Sequence, residues 1–173
     1  MPGYWGFIKD PIHGYIQVSE IEKRIIDTKP LQRLRRIRQL AGSEYVYPAA
    51  NHTRFEHVLG AMYLAGVLGD TLPSELPVQE KRELRIAALV HDIGHGPFSH
   101  IFEPLMMKYV GKSHEDLVPW LVTKTELADV LDDAGFDPRR MGRLRRGVRI
   151  SLFRPARGSK WHRTARASRL RCG

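Results

Sequence analysis

The sequence has a single cysteine, Cys172, among its 173 residues. That excludes a disulfide within the chain and a metal cage built from several thiolates, so a bound metal has to use nitrogen and oxygen donors. No apolar run approaches the roughly 18 residues that span a bilayer, and the N-terminus has no basic segment leading into an apolar core. The expectation is a soluble, cytoplasmic protein with no membrane partner. Carboxylates also stop early: none occurs after Asp137.

What is present is unevenly distributed. The net charge of +9 suggests an anionic partner, but residues 1–138 carry 15 Lys+Arg against 19 Asp+Glu, whereas residues 139–173 carry 13 Lys+Arg and no acid. The basicity belongs to an Arg-rich tail with scattered Gly, Pro and Ser and no lasting apolar period. The length suits one domain, enough to bury roughly 70% of its unfolded surface. "GFIKDPIHGYIQVS" alternates apolar and polar residues around a Pro/Gly turn and predicts a small hairpin.

After the hairpin the period becomes helical, so the fold class is mainly α. Leu31, Leu34, Ile37 and Leu40 predict a helix over "PLQRLRRIRQL" with Pro30 in its first turn, its arginines forming a solvated face. Further helices are predicted from Thr53 to Gly69, over "PVQEKRELRIAALVHD", after Ser99 as N-cap, after the "SHED" capping box at 113–116, and from Thr125 to Ala134.

Five of the eight histidines fall in two stretches, "HTRFEH" (52–57) and "VHDIGHGPFSH" (90–100), with His114 following. A lone histidine is usually structural, but an imidazole on one helix and a His-Asp pair at the apolar end of another offer a divalent cation two nitrogens and a carboxylate. Those groups are His57, His91 and Asp92. Burying Asp92 after "IAALV" without a partner costs several kcal/mol, which calls for a cation or a strong donor. Arg54 lies three residues before His57, on the same helical face, where a guanidinium can take a phosphate. His100 and Glu103 are also three apart, which suits an imidazole oriented by a carboxylate for proton transfer. This is a layout for phosphate-ester hydrolysis.

"HTRFEH…VHDIGHGPFSH", introduced by "KDPIHGYIQV", "RIIDT" and "LQRLRRIRQLAGSEYVYPAANHTRFEHVLG", resembles the HD-domain phosphohydrolases, and within them the deoxynucleoside triphosphate triphosphohydrolases of the SAM-and-HD-domain type. The resemblance runs from about Phe7 to Asp116. It implies an HD-domain helical bundle and a divalent metal ion (Mn, Mg, Fe, Ni or Zn) held by His57, His91 and Asp92. It further implies a deoxynucleoside triphosphate substrate, with Arg54 on its phosphates and Gln39 and Leu40 bordering sugar and base. His95 and His114 would lie near the phosphates, and His100 would transfer a proton with Glu103, where the family usually has aspartate. The products would be a deoxynucleoside and triphosphate, and relatives form homo-oligomers.

The pattern also requires a second aspartate from a later helix. After Asp116 the aspartates are Asp129, Asp132, Asp133 and Asp137, none in the family's setting. With the composition break near Pro138, this leads to an expectation of residues 1–138 as the N-terminal part of an HD domain and 139–173 as a disordered or non-native tail from a truncated or frameshifted gene, with weak or no turnover. Competing readings are an HD phosphodiesterase or nucleotidase, a nucleic-acid-binding module using the tail as a nonspecific basic arm, and a non-catalytic interaction remnant.

Overall fold

The computed structural model describes residues 3–72 and 76–144. Strands β1 (Tyr4–Asp10) and β2 (Gly14–Ser19) pair antiparallel, with Ile8 opposite Ile16. The turn is fixed by Asp10, whose Oδ1 accepts from the backbone N–H groups of Ile12 (2.9 Å) and His13 (2.8 Å). Ile16 and Val18 point into the core while Tyr15 and Gln17 face out, the period of two expected of a half-buried strand.

Ser19 then opens α1 (Glu20–Ile26) through a capping box closed by Glu22. Glu22 is buried and bound by Arg85, which donates from Nε (2.5 Å) and Nη2 (3.0 Å) to its two oxygens. This pair ties α1 to α4 (Val78–Val90). The long helix α3 (Arg54–Thr71) lies along α4, and Val58, Leu59 and Met62 meet Ile86, Leu89 and Val90 in one apolar core. Helices α5 (Glu103–Val110), α6 (His114–Lys124), α7 (Glu126–Asp133) and α8 (Pro138–Leu144) follow. Val118, Val122, Leu127, Leu131 and Met141 extend the same core. A mainly α architecture with an N-terminal hairpin is therefore observed. Among the described residues no helix is long and apolar enough to cross a membrane.

Three local expectations are corrected. The helix drawn over residues 30–40 is only α2 (Lys29–Arg33) plus a 3₁₀ turn at Leu34–Arg36. Ile37 is extended because its carbonyl accepts the Arg54 N–H (2.8 Å) and Arg38 bridges to Thr53, so pairing with the entry to α3 overrides the three-residue apolar period. Ser99 does not cap a helix. It and Phe98 hold left-handed backbone (φ 51° and 57°), and α5 begins only at Glu103. Arg33 is not simply solvated: its Nη2 donates to the Ile93 carbonyl (2.6 Å), and burial lowers the guanidinium pKa.

The Arg-rich stretch begins inside the folded part. In α8, Met141 is buried and Arg140 pairs with Glu83 (2.6 Å). From residue 145 onward the tail lies outside the described residues, and with it the basic-arm reading.

Candidate metal centre

Two helix ends make the site. Thr53 caps α3 through a box completed by Glu56, and this fixes Arg54 and His57 on the first turn. The C-terminal end of α4 delivers His91, its C-cap, and Asp92, in the turn that runs out toward Gly94. The glycine is required there, since a Cβ at Gly94 would collide with the His114 carbonyl oxygen. The close approach seats the start of α6 against the loop after Asp92, which brings His114 to the site.

His57, His91 and Asp92 converge, as predicted: each offers a ligand atom, all within 4.8 Å of one another. The two Nε2 atoms are 3.3 Å apart, with the rings at 65°. His91 Nδ1 lies 2.7 Å from the Ala88 carbonyl, which can only accept, so Nδ1 carries the proton and Nε2 presents its lone pair. Asp92 contributes Oδ1 at 3.2 Å from His91 Nε2 and Oδ2 at 3.6 Å from His57 Nε2. Burial pushes the Asp92 carboxyl pKa up, but the neighbouring His91, Arg54, His95 and His57 outweigh it and hold the group below its ordinary value. Burial, only partly opposed by Asp92, lowers the His57 pKa and favours the neutral imidazole that ligates. Two converging imidazole nitrogens, one with its second-nitrogen partner in place, and an ionised carboxylate fit a divalent cation.

Arg54 closes the back of this trio. It is 1% exposed, its Nη1 is paired with Asp92 Oδ2, and its Nε donates to Ser99 Oγ (2.8 Å). Ser99 in turn donates to the Arg38 carbonyl (2.8 Å), which explains its strained backbone: the side chain is spent on holding the arginine. Nη2 of Arg54 is buried and has no hydrogen-bond partner among the described residues. Sequence reasoning missed Ser99's role, because a serine ahead of an apolar run reads first as a cap.

His95, His100 and His114 form a second cluster. Glu103 lies between two of them, with Oε1 2.6 Å from His114 Nδ1 and Oε2 3.2 Å from His100 Nδ1. Burial raises the Glu103 pKa, but these two contacts outweigh it and lower the pKa overall, so the ionised carboxylate accepts both protons and leaves each Nε2 outward. The longer Glu103 therefore reaches both rings at once. His95 is 2% exposed, and burial followed by the charge of Arg54 pulls its pKa down to about 3, so this ring is neutral at pH 7. It stacks on His114 with centroids 3.7 Å apart and planes at 19°. The ligand atoms of His95, His100 and His114 lie within 4.8 Å of one another.

Gln39 and Leu40 follow the segment that pairs with the α3 entry, Gln39 N–H donating to the His52 carbonyl (3.1 Å). Gln39 Oε1 is buried without a donor, and Leu40 is 47% exposed. A cleft of about 490 Å³, bordered by Ile12, His13, Asn51, His52 and Glu56, opens on His57. His13 packs on Tyr63, with ring centroids 4.8 Å apart, and Glu56 closes the cap. Neither of the two clusters among the described residues includes an aspartate after Asp92; Asp133 is paired with Arg24 (2.9 Å) and Asp137 caps the Arg139 N–H (2.8 Å).

The model of the HD domain matches residues 54–134. The chain is 44% identical over 145 residues to the deoxynucleoside triphosphate triphosphohydrolase SAMHD1 of Homo sapiens, covering 76% of this chain and 23% of that protein. It is 42% identical over 139 residues to the SAMHD1 of Gallus gallus, covering 73% and 23%. To the SAMHD1 homolog of Dictyostelium discoideum it is 40% identical over 138 residues, covering 75% and 26%. The chain thus spans about a quarter of the length of these curated relatives.

Proposed function

Residues 54–134 match the HD domain, and from that premise we propose that the site binds deoxynucleoside triphosphates and hydrolyses them to deoxynucleoside and triphosphate. The observation that carries the reading is the buried, unpartnered Nη2 of Arg54 beside the His57, His91 and Asp92 trio. An orphaned cationic donor in a buried site costs free energy unless an anion takes it up, and a phosphoryl oxygen is the anion that a neighbouring divalent cation also favours.

His57, His91 and Asp92 would hold the metal. When bound, a divalent cation supplies Lewis acidity to a phosphoryl oxygen and to the attacking water. The remaining work falls to this chain's side chains. Arg54 orients the phosphates through Nη2 while its other nitrogens stay fixed by Asp92 and Ser99. Neutral His95 packs beside them without adding charge. His100, exposed and held through Nδ1 by Glu103, passes a proton from Nε2 to the departing 5′ oxygen. Gln39 Oε1, buried and lacking a donor, is suited to accept from a sugar hydroxyl.

With three protein ligands instead of four, cation binding is weaker and turnover slow. The test is Mn²⁺ titration of the full chain by calorimetry, then incubation with dGTP and separation of products. Release of triphosphate that disappears in His57→Ala supports the reading. Release of monophosphate or diphosphate instead favours the nucleotidase or phosphodiesterase alternative, and hydrolysis unchanged in His57→Ala overturns it.

A further inference from the structure

Behind the second histidine cluster lies a cavity of about 550 Å³ between α5 and α6. Its walls are Phe102, Leu105, Met106, Tyr109, Trp120 and Leu121, and its floor is His95 with Gly94. The volume is that of a small-molecule site, within the roughly 300–1,000 Å³ of such cavities. Glycine at position 96 shapes the wall, since a Cβ there would stand 2.7 Å from the Phe102 ring. The mouth is apolar as well: Leu105, Tyr109, Val110 and Trp120 are all about half exposed or more.

One charged group enters this apolar surround. The Arg33 guanidinium lines the cavity, and burial lowers its pKa, so the charge is partly stripped of water. Among the described residues it makes one hydrogen bond, from Nη2 to the Ile93 carbonyl (2.6 Å), and no carboxylate neutralises it. A guanidinium has five N–H donors in a planar fork matched to a carboxylate. An apolar cavity with a single, under-used fork calls for a ligand with an apolar body and one anionic end.

We propose that this cavity binds a medium-chain carboxylate, its hydrocarbon tail between α5 and α6 and its carboxylate on Arg33. The reading does not depend on the hydrolase assignment, because none of the metal trio lines the cavity. His95 lines this cavity and also belongs to the second histidine cluster, so the two sites share one ring.

The experiment is calorimetric titration of the full chain with octanoate, and separately with octan-1-ol, which has the same tail and no charge. Saturable binding of one octanoate is expected, weakened at least about tenfold in Arg33→Met, the loss that one charge-assisted contact corresponds to, while octan-1-ol binds both proteins alike. Leu105→Trp, at the half-exposed mouth, should block both ligands yet leave Mn²⁺ binding intact, which shows that the fold survives. Octanoate binding equal in wild type and Arg33→Met overturns the proposal, as does absence of saturable binding. A concentration-dependent dimer that octanoate fails to dissociate also overturns it, and assigns the cavity to a second copy of the chain.

Discussion

Two buried carboxylates in this protein are each paired with an arginine, and they are completed to different degrees. Glu22 accepts from Nε and Nη2 of Arg85 and, through Oε2, from the Ser19 N–H (2.8 Å), while Arg85 also donates to the Gln17 carbonyl (2.8 Å). Asp92 is matched by Arg54, whose Nη2 is left without a partner, and by imidazole nitrogens at 3.2–3.6 Å from its oxygens. The same ion chemistry is closed at α1 and α4 and open at the junction of α3 and α4. A closed pair holds elements together. An open one keeps donors and acceptors unmet, which the fold tolerates where a ligand will meet them.

The largest effects should come from removing either carboxylate. Asp92→Ala strands the buried Arg54 and should cost about 3–5 kcal/mol in urea unfolding, and Glu22→Ala, which strands the half-buried Arg85, should cost less. Mn²⁺ separates them: it should raise the melting temperature of wild type and of Glu22→Ala, and leave Asp92→Ala unmoved. Acid sharpens the contrast for Glu22. Burial raises its pKa, but the Arg85 and Ser19 contacts prevail and the folded value lies below the ordinary 4.5. The unfolded chain therefore binds the proton first, so the contribution of Glu22 is complete above about pH 4.5 and is lost as pH falls further. The stability gap between wild type and Glu22→Gln should narrow below that pH; a gap that widens there would mean that the pair is not what lowers the pKa.

A smaller difference is expected from the arginines. Lys can keep one ion pair but has no planar fork, so Arg54→Lys retains a contact to Asp92 and loses the Nη2 donor. Tripolyphosphate should bind this variant at least about tenfold more weakly than wild type, whereas Arg85→Lys should lower stability with no effect on tripolyphosphate binding. Equal affinity in wild type and Arg54→Lys would remove the distinction between the open and closed pairs.

The sequence made the open pair partly readable. Arg54, His57, His91 and Asp92 could be found because helical spacing puts Arg54 and His57 on one face and the His-Asp pair at the apolar end of the next helix. What stayed hidden was set by contacts distant in sequence. Leu31, Leu34, Ile37 and Leu40 follow a helical period, yet the backbone of Ile37 is taken by Arg54 and the helix stops early. Ser99 looks like a cap and instead supports Arg54 from 45 positions away. The stack of His95 on His114 depends on α6 meeting Gly94, and no local pattern encodes that approach.

The smallest effect concerns the helix starts themselves. Both pairs sit at capped first turns, Ser19 with Glu22 on α1 and Thr53 with Glu56 on α3. Ser19→Ala and Thr53→Ala should each cost about 1 kcal/mol, because each frees an N-terminal N–H from its side-chain acceptor. Only at Thr53 does the first turn carry Arg54 and His57. Fraying there should therefore weaken Mn²⁺ binding by up to about fivefold, the factor that ~1 kcal/mol corresponds to, and Ser19→Ala should leave it unchanged. Calorimetry on the two variants decides this. Equal losses of affinity would mean that the cation responds to global stability, and equal retention would mean that α3 needs no cap to aim its ligands.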